Sequence, residues 1–196
     1  FNGRTIVRTL CYIPYVTNLI AVGIVWKYLL NPYEGPINTL LRSLGISESN
    51  LPNWLTGTKS ALPTSAFINT WVTLAFSVIT LLAAIQEIPA SYYEVADIEG
   101  CSAFSRLRYI TVPALKPTIG FLLMINTINS FKNYTVVMAL TSGGPGNATN
   151  VSSLQIYKDA FNYYRFSFSS AHAVLLTMFI LFITLALMQI RKRWEE

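Results

Sequence analysis

The run FSSAHAVLLTMFILFITLALMQI, residues Phe168 to Ile190, passes through 23 positions without one Asp, Glu, Lys or Arg. A helix rises 1.5 Å per residue, and about 20 apolar residues cross the hydrocarbon core of a bilayer. Three more runs have the same character: Leu10 to Leu30, Ala66 to Ile88 and Pro117 to Leu140. In a chain of 196 residues that is 53% hydrophobic and only 12% charged, such runs exceed what a soluble core of this size can hide. All four contain β-branched, Gly or Pro residues, which weaken a helix in water but are common in lipid, where the backbone must satisfy itself. The fold expected is all-α: a polytopic transmembrane helical bundle, a single transmembrane domain over residues 1–196.

The net charge of +5 raises the question of nucleic acid, and the positions of the charges answer it. With a cytoplasmic C-terminus, Arg4, Arg8, Arg106, Arg108, Lys116, Arg191, Lys192 and Arg193 all fall on one side of the membrane. That is the positive-inside pattern, and no basic patch interleaved with aromatics sits on a soluble module. Cys11 and Cys101 then both face a reducing compartment, so a disulfide is not expected, and two cysteines with one histidine make no metal-ligand set. The chain opens at Phe1 in mid-pattern and reads as part of a longer protein.

Between the spans the composition changes. Pro14 permits a bend in the first run, and Lys27 lies where its amine can extend to the headgroups. NPYEGPINTLLRSLGISESNLPNWLTGTKSALPTS follows, rich in turn formers, with a short amphipathic piece over Ile37 to Leu44; it suggests an external segment along the interface. Gly143, Gly144, Pro145 and Gly146 break structure after the third run, and an amphipathic stretch from Val151 to Tyr164 leads into the fourth. His172, alone among small residues, reads as an interhelical hydrogen-bonder.

The segment EVADIEGCSAFSRLRYITVP, Glu94 to Pro113, is unusual for its three acids and two arginines between two apolar spans. Ser91 to Glu99 reads as a short helix with Glu94 and Asp97 on one face, ended at Gly100. Cys101 to Ile110 reads as a second, with Phe104, Leu107 and Ile110 opposite Arg106 and Arg108. A helix–glycine–helix hairpin at the membrane surface suits docking to a partner. An amphipathic helix anchored on headgroups fits the same residues.

Here a resemblance enters. Glu94-Val95-Ala96, then Gly100, Ile110 and Pro113 resemble the EAA loop of binding-protein-dependent ABC importer permeases, with Val95 in place of the usual first Ala and Glu99 in place of the Asp before the Gly. LTSGGPGNAT, IYKDAF and LNPYEGPINTLL resemble the carbohydrate, maltose-transporter-type branch, and together the similarity covers nearly the whole chain. It implies a permease subunit whose first helix or two, at the N-terminus, are missing from this chain, an inner-membrane component in a bacterial or archaeal plasma membrane working with a second permease subunit, two ATP-binding subunits and an extracytoplasmic substrate-binding protein. It implies that the loop seats in a cleft of the ATPase, with Glu94 as the ion-pairing contact, Asp97 beside it, Ala96 permitting close approach, Gly100 the turn and Pro113 the end of the motif. The chain has no GxxxxGK[ST] run, so ATP is expected on a partner, with no cofactor or metal of its own.

The third run supplies a candidate substrate path. In MINTINSFKNYTVV, Asn126, Asn129, Ser130 and Asn133 fall at i, i+3, i+4 and i+7, one face of a helix. Unpaired polar groups in lipid cost several kcal/mol, so this face must meet protein or water. It either bonds a neighbouring helix or lines a path whose amides and hydroxyls match sugar hydroxyls, as the resemblance implies. Thr17, Asn18, Asn69 and Thr73 are further candidates. Lys132 lies about 120° off the stripe, and were it to face the path, an anionic substrate such as a uronate oligosaccharide or a sugar phosphate would fit. Tyr134 offers a ring for stacking on a sugar. An integral-membrane enzyme is the competing class, against which stand the lack of HExxH, of an acid-rich metal motif and of a nucleophile–His pair. A passive channel would have no use for the charged hairpin.

Overall fold

The computed structural model of the protein describes residue 9 and residues 12–195. Arg4, Arg8, Cys11 and the side chain of Arg193, named above for sidedness and redox state, lie outside the described residues.

Among the described residues every regular element is helical. In chain order we number them α1 (Leu19–Leu29), α2 (Pro36–Ser43), α3 (Ala61–Gln86), α4 (Ala90–Ile98), α5 (Ala103–Lys132), α6 (Thr135–Thr141), α7 (Ser152–Tyr157) and α8 (Phe166–Glu195). Three of them, α3, α5 and α8, are long and apolar enough to cross a membrane. Nothing in the most apolar 18-residue window of α8 is buried within the chain, although its mean hydropathy is 2.5. A helix that hydrophobic and that bare must be covered by lipid or by another subunit.

The first run departs from the single span expected over Leu10 to Leu30. Residues 12–16 are helical, the backbone then breaks, and α1 begins at Leu19. The break is not at Pro14 but at Asn18, whose side-chain Oδ1 accepts from the N–H groups of Ile20 (2.9 Å) and Ala21 (3.3 Å). An Asn at this position satisfies orphan donors and so starts a helix rather than continuing one. At 11 residues α1 is too short to cross a bilayer alone.

The third span is corrected at both ends. The expected second hairpin helix and the expected span are one continuous helix, Ala103–Lys132. A π turn over Leu107–Thr111 lies inside it, where Val112 N–H bonds Leu107 C=O. Pro113 follows directly, lacking the N–H that would have bonded Tyr109, so the wider turn takes in a residue that otherwise interrupts a helix. At the far end the helix stops at Lys132 instead of running to Leu140. Asn133 is extended (φ −81°, ψ 112°), and its Oδ1 accepts from Thr135 N–H at 3.1 Å, opening α6.

The buried core lies where α1, α3 and α6 meet, with Val22, Leu30, Ile68, Val72, Val136 and Leu140 in contact and Trp26 and Trp54 against them. The segment between α1 and α3 is tied to this core by Asn38, only 1% exposed, near the start of the expected amphipathic piece. Its Nδ2 donates to Pro32 O (3.1 Å) and Pro52 O (3.4 Å), and its Oδ1 accepts from Trp54 Nε1 at 2.8 Å. Asn38→Leu keeps the branched skeleton but orphans these groups. It is expected to lower stability by about 2 kcal/mol, read as a fall in the unfolding midpoint of the detergent-solubilised protein.

Candidate functional site

Helices α3 and α5 are joined by two side-chain hydrogen bonds. Asn126 Nδ2 donates to Ser77 Oγ at 3.0 Å, and Asn133 Nδ2 donates to Asn69 Oδ1 at 2.7 Å. Between these ties lies a cleft of about 210 Å³, lined by Asn69, Thr70, Thr73 and Ser77 from α3, by Asn126, Asn129 and Ser130 from α5, and by Leu74. No charged side chain lines it. The stripe therefore divides its work: its two end members hold α3, while Asn129 and Ser130 between them face the opening.

The hydrogen-bond inventory of the cleft is specific. Thr70, Thr73 and Ser130 spend their hydroxyl protons on backbone carbonyls of their own helices, at 2.8, 3.0 and 2.8 Å. Their oxygens are left as acceptors. The Asn129 side chain has no hydrogen-bond partner among the described residues, although its backbone carbonyl accepts from Asn133 N–H at 2.9 Å, so its amide offers both a donor and an acceptor. The result is an uncharged, acceptor-rich surface suited to hydroxyl groups. At this volume it is smaller than a typical ligand pocket of about 300 Å³ or more.

Two other candidates sit elsewhere. Lys132 is exposed and does not line the cleft. Tyr134 stacks on Tyr157 (centroids 5.2 Å apart, planes at 26°), which in turn meets Phe161, so one ring face is taken by packing. Of the further candidates, Asn69 and Thr73 line the cleft, whereas Thr17 bonds Ile13 O and Asn18 caps α1. Thr70 and Ser77, which complete the α3 side, were passed over by the path reading. Their spacing from Asn69 and Thr73 within one span was the signal available.

At the other end of α5 stands the charged hairpin. Gly100 is left-handed (φ +68°). Cys101 N–H bonds Ala96 C=O at 2.9 Å and Gly100 N–H bonds Asp97 C=O at 3.1 Å, a Schellman closure of α4. A β-carbon at Gly100 would meet nothing within 4 Å, so only the backbone conformation calls for glycine there. Ala96 is buried. Glu94 is exposed and forms no ion pair among the described residues, but the carboxylate of Asp97 is engaged by Arg106 Nη2. Ile98 at the turn is 87% exposed, with Tyr92 and Phe104 also open. An exposed apolar knob beside an unpaired carboxylate is a surface shaped for a partner.

A family model described as a binding-protein-dependent transport system inner membrane component matches residues 2–194. The chain belongs to that family. Like this permease, a probable ABC transporter permease of Brucella suis is similar along the full chain, 31% identical over 196 residues, which is 68% of that protein's length. The trehalose/maltose transport system permease of Thermococcus litoralis is 34% identical over 96% of the permease chain and 63% of its own. A solved bacterial alginate ABC transporter, in complex with an alginate pentasaccharide-bound periplasmic protein, superposes with a TM-score of 0.89 at 25% identity, covering 100% of the permease and 67% of the matched chain. The permease sequence thus spans about two thirds of the lengths of the proteins it resembles, and its multi-pass character agrees with its three long apolar helices.

Proposed function

We propose that the permease forms part of the translocation path for a sugar or oligosaccharide in an ABC importer, driven by ATP hydrolysis on a separate subunit. The observation that carries the reading is the uncharged cleft between α3 and α5, in which Asn129 and the Thr70, Thr73 and Ser130 oxygens face an opening within otherwise apolar spans. Hydroxyl-rich solutes are matched by such groups, and ions are not. The maltose-type relative and the alginate transporter support a carbohydrate as the solute. The exposed Glu94 and Ile98 supply the contact for the ATPase. The working assembly would comprise a second permease, two ATP-binding subunits and an extracytoplasmic binding protein; the periplasmic protein in the alginate complex supports the last of these.

The test is uptake into proteoliposomes by the full-length permease with its partners, screened over neutral and uronate oligosaccharides. Asn129→Leu is expected to reduce uptake of the preferred sugar by up to about tenfold, the worth of one or two hydrogen bonds. Lys132→Gln is expected to stay within about twofold, since an exposed charge off the cleft contributes little. A large loss in Lys132→Gln, confined to anionic sugars, would favour the uronate or sugar phosphate reading instead. Uptake indifferent to Asn129 would remove the cleft from the path.

A further inference from the structure

A larger cavity lies at the end of the bundle away from the charged hairpin. It is a groove of about 530 Å³ between the end of α1, which gives Trp26 and Leu30, and the start of α3, which gives Phe67 and Ile68; Ile37 and Trp54 join them from the connecting segment. Its two indoles are held in place. Trp54 spends its one donor on Asn38 Oδ1 at 2.8 Å, and Trp26 packs edge-on against Trp71 with ring centroids 5.5 Å apart. Thr64 is the one other polar side chain in the lining, so the groove suits hydrocarbon. Beyond Leu30 the chemistry reverses. Leu30 also lines a cavity of about 380 Å³, together with Lys27, Asn31, Thr56 and Thr141. Its N–H bonds Trp26 C=O at 2.9 Å, so it continues the turn of α1. At about 100° per residue it stands about 40° round from Trp26 and about 60° from Lys27, and this single side chain divides the apolar groove from the ammonium group. Lys27 is exposed and has no ion pair or side-chain hydrogen bond among the described residues, and no acidic side chain lines either cavity.

We propose that this end of the permease holds one anionic phospholipid, with an acyl chain in the groove and the phosphate at Lys27. A cation beside a hydrocarbon slot is complementary to that ligand. A neutral lipid or an apolar side chain from another subunit fills the slot and leaves the amine without a partner. A free sugar acid satisfies the amine but leaves the groove and its two indoles open to water. The pair of Trp residues at the mouth of a membrane-crossing helix fits the headgroup level, where indoles gather. The bound chain fills the gap between α1 and α3 beside the Trp26–Trp71 contact, and the site stands whichever solute the cleft between α3 and α5 carries.

The experiment uses the complete transporter, with its full-length permease, in phosphatidylcholine vesicles that contain a trace of phosphatidylglycerol bearing a photoactivatable diazirine in one acyl chain. After illumination, peptide mapping should place label on residues 26–37 and 54–68. The yield there should exceed that of a phosphatidylcholine probe with the same chains by about fivefold, the preference that one lysine near the surface confers. Unlabelled phosphatidylglycerol should compete the label away at these stretches. Lys27→Gln should erase the preference while leaving the phosphatidylcholine signal and, as an exposed substitution, the unfolding midpoint unchanged. Thr64→Trp, which narrows the groove from within, should lower labelling by both probes. Equal labelling by the two probes, or a preference that survives in Lys27→Gln, would overturn the site. So would loss of the label to inorganic phosphate alone, which would make it a pocket for a free anion. Displacement by a uronate oligosaccharide would assign Lys27 to the solute path instead. A groove labelled in the isolated full-length permease but not in the complete transporter would be occupied by another subunit, and the lipid would be excluded.

Discussion

Glu94→Ala is expected to abolish substrate-stimulated ATP hydrolysis in the reconstituted transporter, by at least about tenfold, while leaving the unfolding midpoint of the isolated permease nearly unchanged. The first half follows from what Glu94 lacks. It is exposed on α4 and has no ion-pair partner among the described residues, although Asp97, three residues on, is occupied by Arg106. A carboxylate held out on an otherwise well-tied helix contributes little to its own fold, and surface substitutions of this kind typically shift stability by about 0.5 kcal/mol or less. Within an interface the same group counts for more. Truncating one partner of a desolvated charge pair costs about 2–5 kcal/mol, more than tenfold in binding. Hydrolysis stimulated by binding protein and sugar, together with co-purification of the ATPase, measures the effect. Glu99→Ala is the control, since Glu99 lies at the C-terminal end of α4, where its charge opposes the helix dipole. Equal losses in the two variants would point to general surface charge and not to a specific contact, and full stimulation in Glu94→Ala would make the hairpin a membrane-surface anchor.

The long apolar spans were legible because composition and length are properties of a segment alone. The 3.6-residue period likewise placed Asn126, Asn129 and Ser130 on one face, and all three line the cleft, whereas Asn133 stands past the end of α5 and reaches α3 through Asn69. What escaped the sequence were the breaks and the partners. Asn18 and Asn133 both end helical runs through side-chain bonds to nearby N–H groups, and in an apolar context an Asn reads as well as a path residue as it does a cap. Pro113 had the opposite effect. It lies between a helix expected to end at Ile110 and a span expected to start at Pro117, yet the π turn before it carries one helix through. Asp97 and Arg106 stand nine positions apart across a glycine, a spacing that no helical or strand period brings together. Only the left-handed turn at Gly100 returns one to the other. Asn38 was hidden for a similar reason: its partners Pro32, Pro52 and Trp54 belong to turns whose path is set by the fold.

Gly23→Leu is expected to be the most destabilising single change in the described core, by about 3 kcal/mol, visible as a loss of folded yield and a lower unfolding midpoint. Gly23 is buried on α1, and a β-carbon there would run into the β-carbon of Ala139 on α6. The neighbours on either side leave no slack, since Val22, Val136 and Leu140 are all within the buried cluster. Between helices in lipid, where apolar surface gains nothing by leaving the solvent, close approach at small residues is a main source of association. Filling that contact forces α1 from α6, and α6 begins two residues after Asn133, the residue that bonds Asn69 of α3. The variant should therefore lose transport as well as stability. Gly23→Ala should show the same effects at about 1–2 kcal/mol, and adding Ala139→Gly should recover most of the loss, because the β-carbon deleted from one helix makes room for the one added to the other. Absence of that recovery would mean that Gly23 serves the conformation of α1 and not its distance from α6, and the path from helix packing to cleft geometry would have to run through the Trp26–Trp71 contact between α1 and α3 instead.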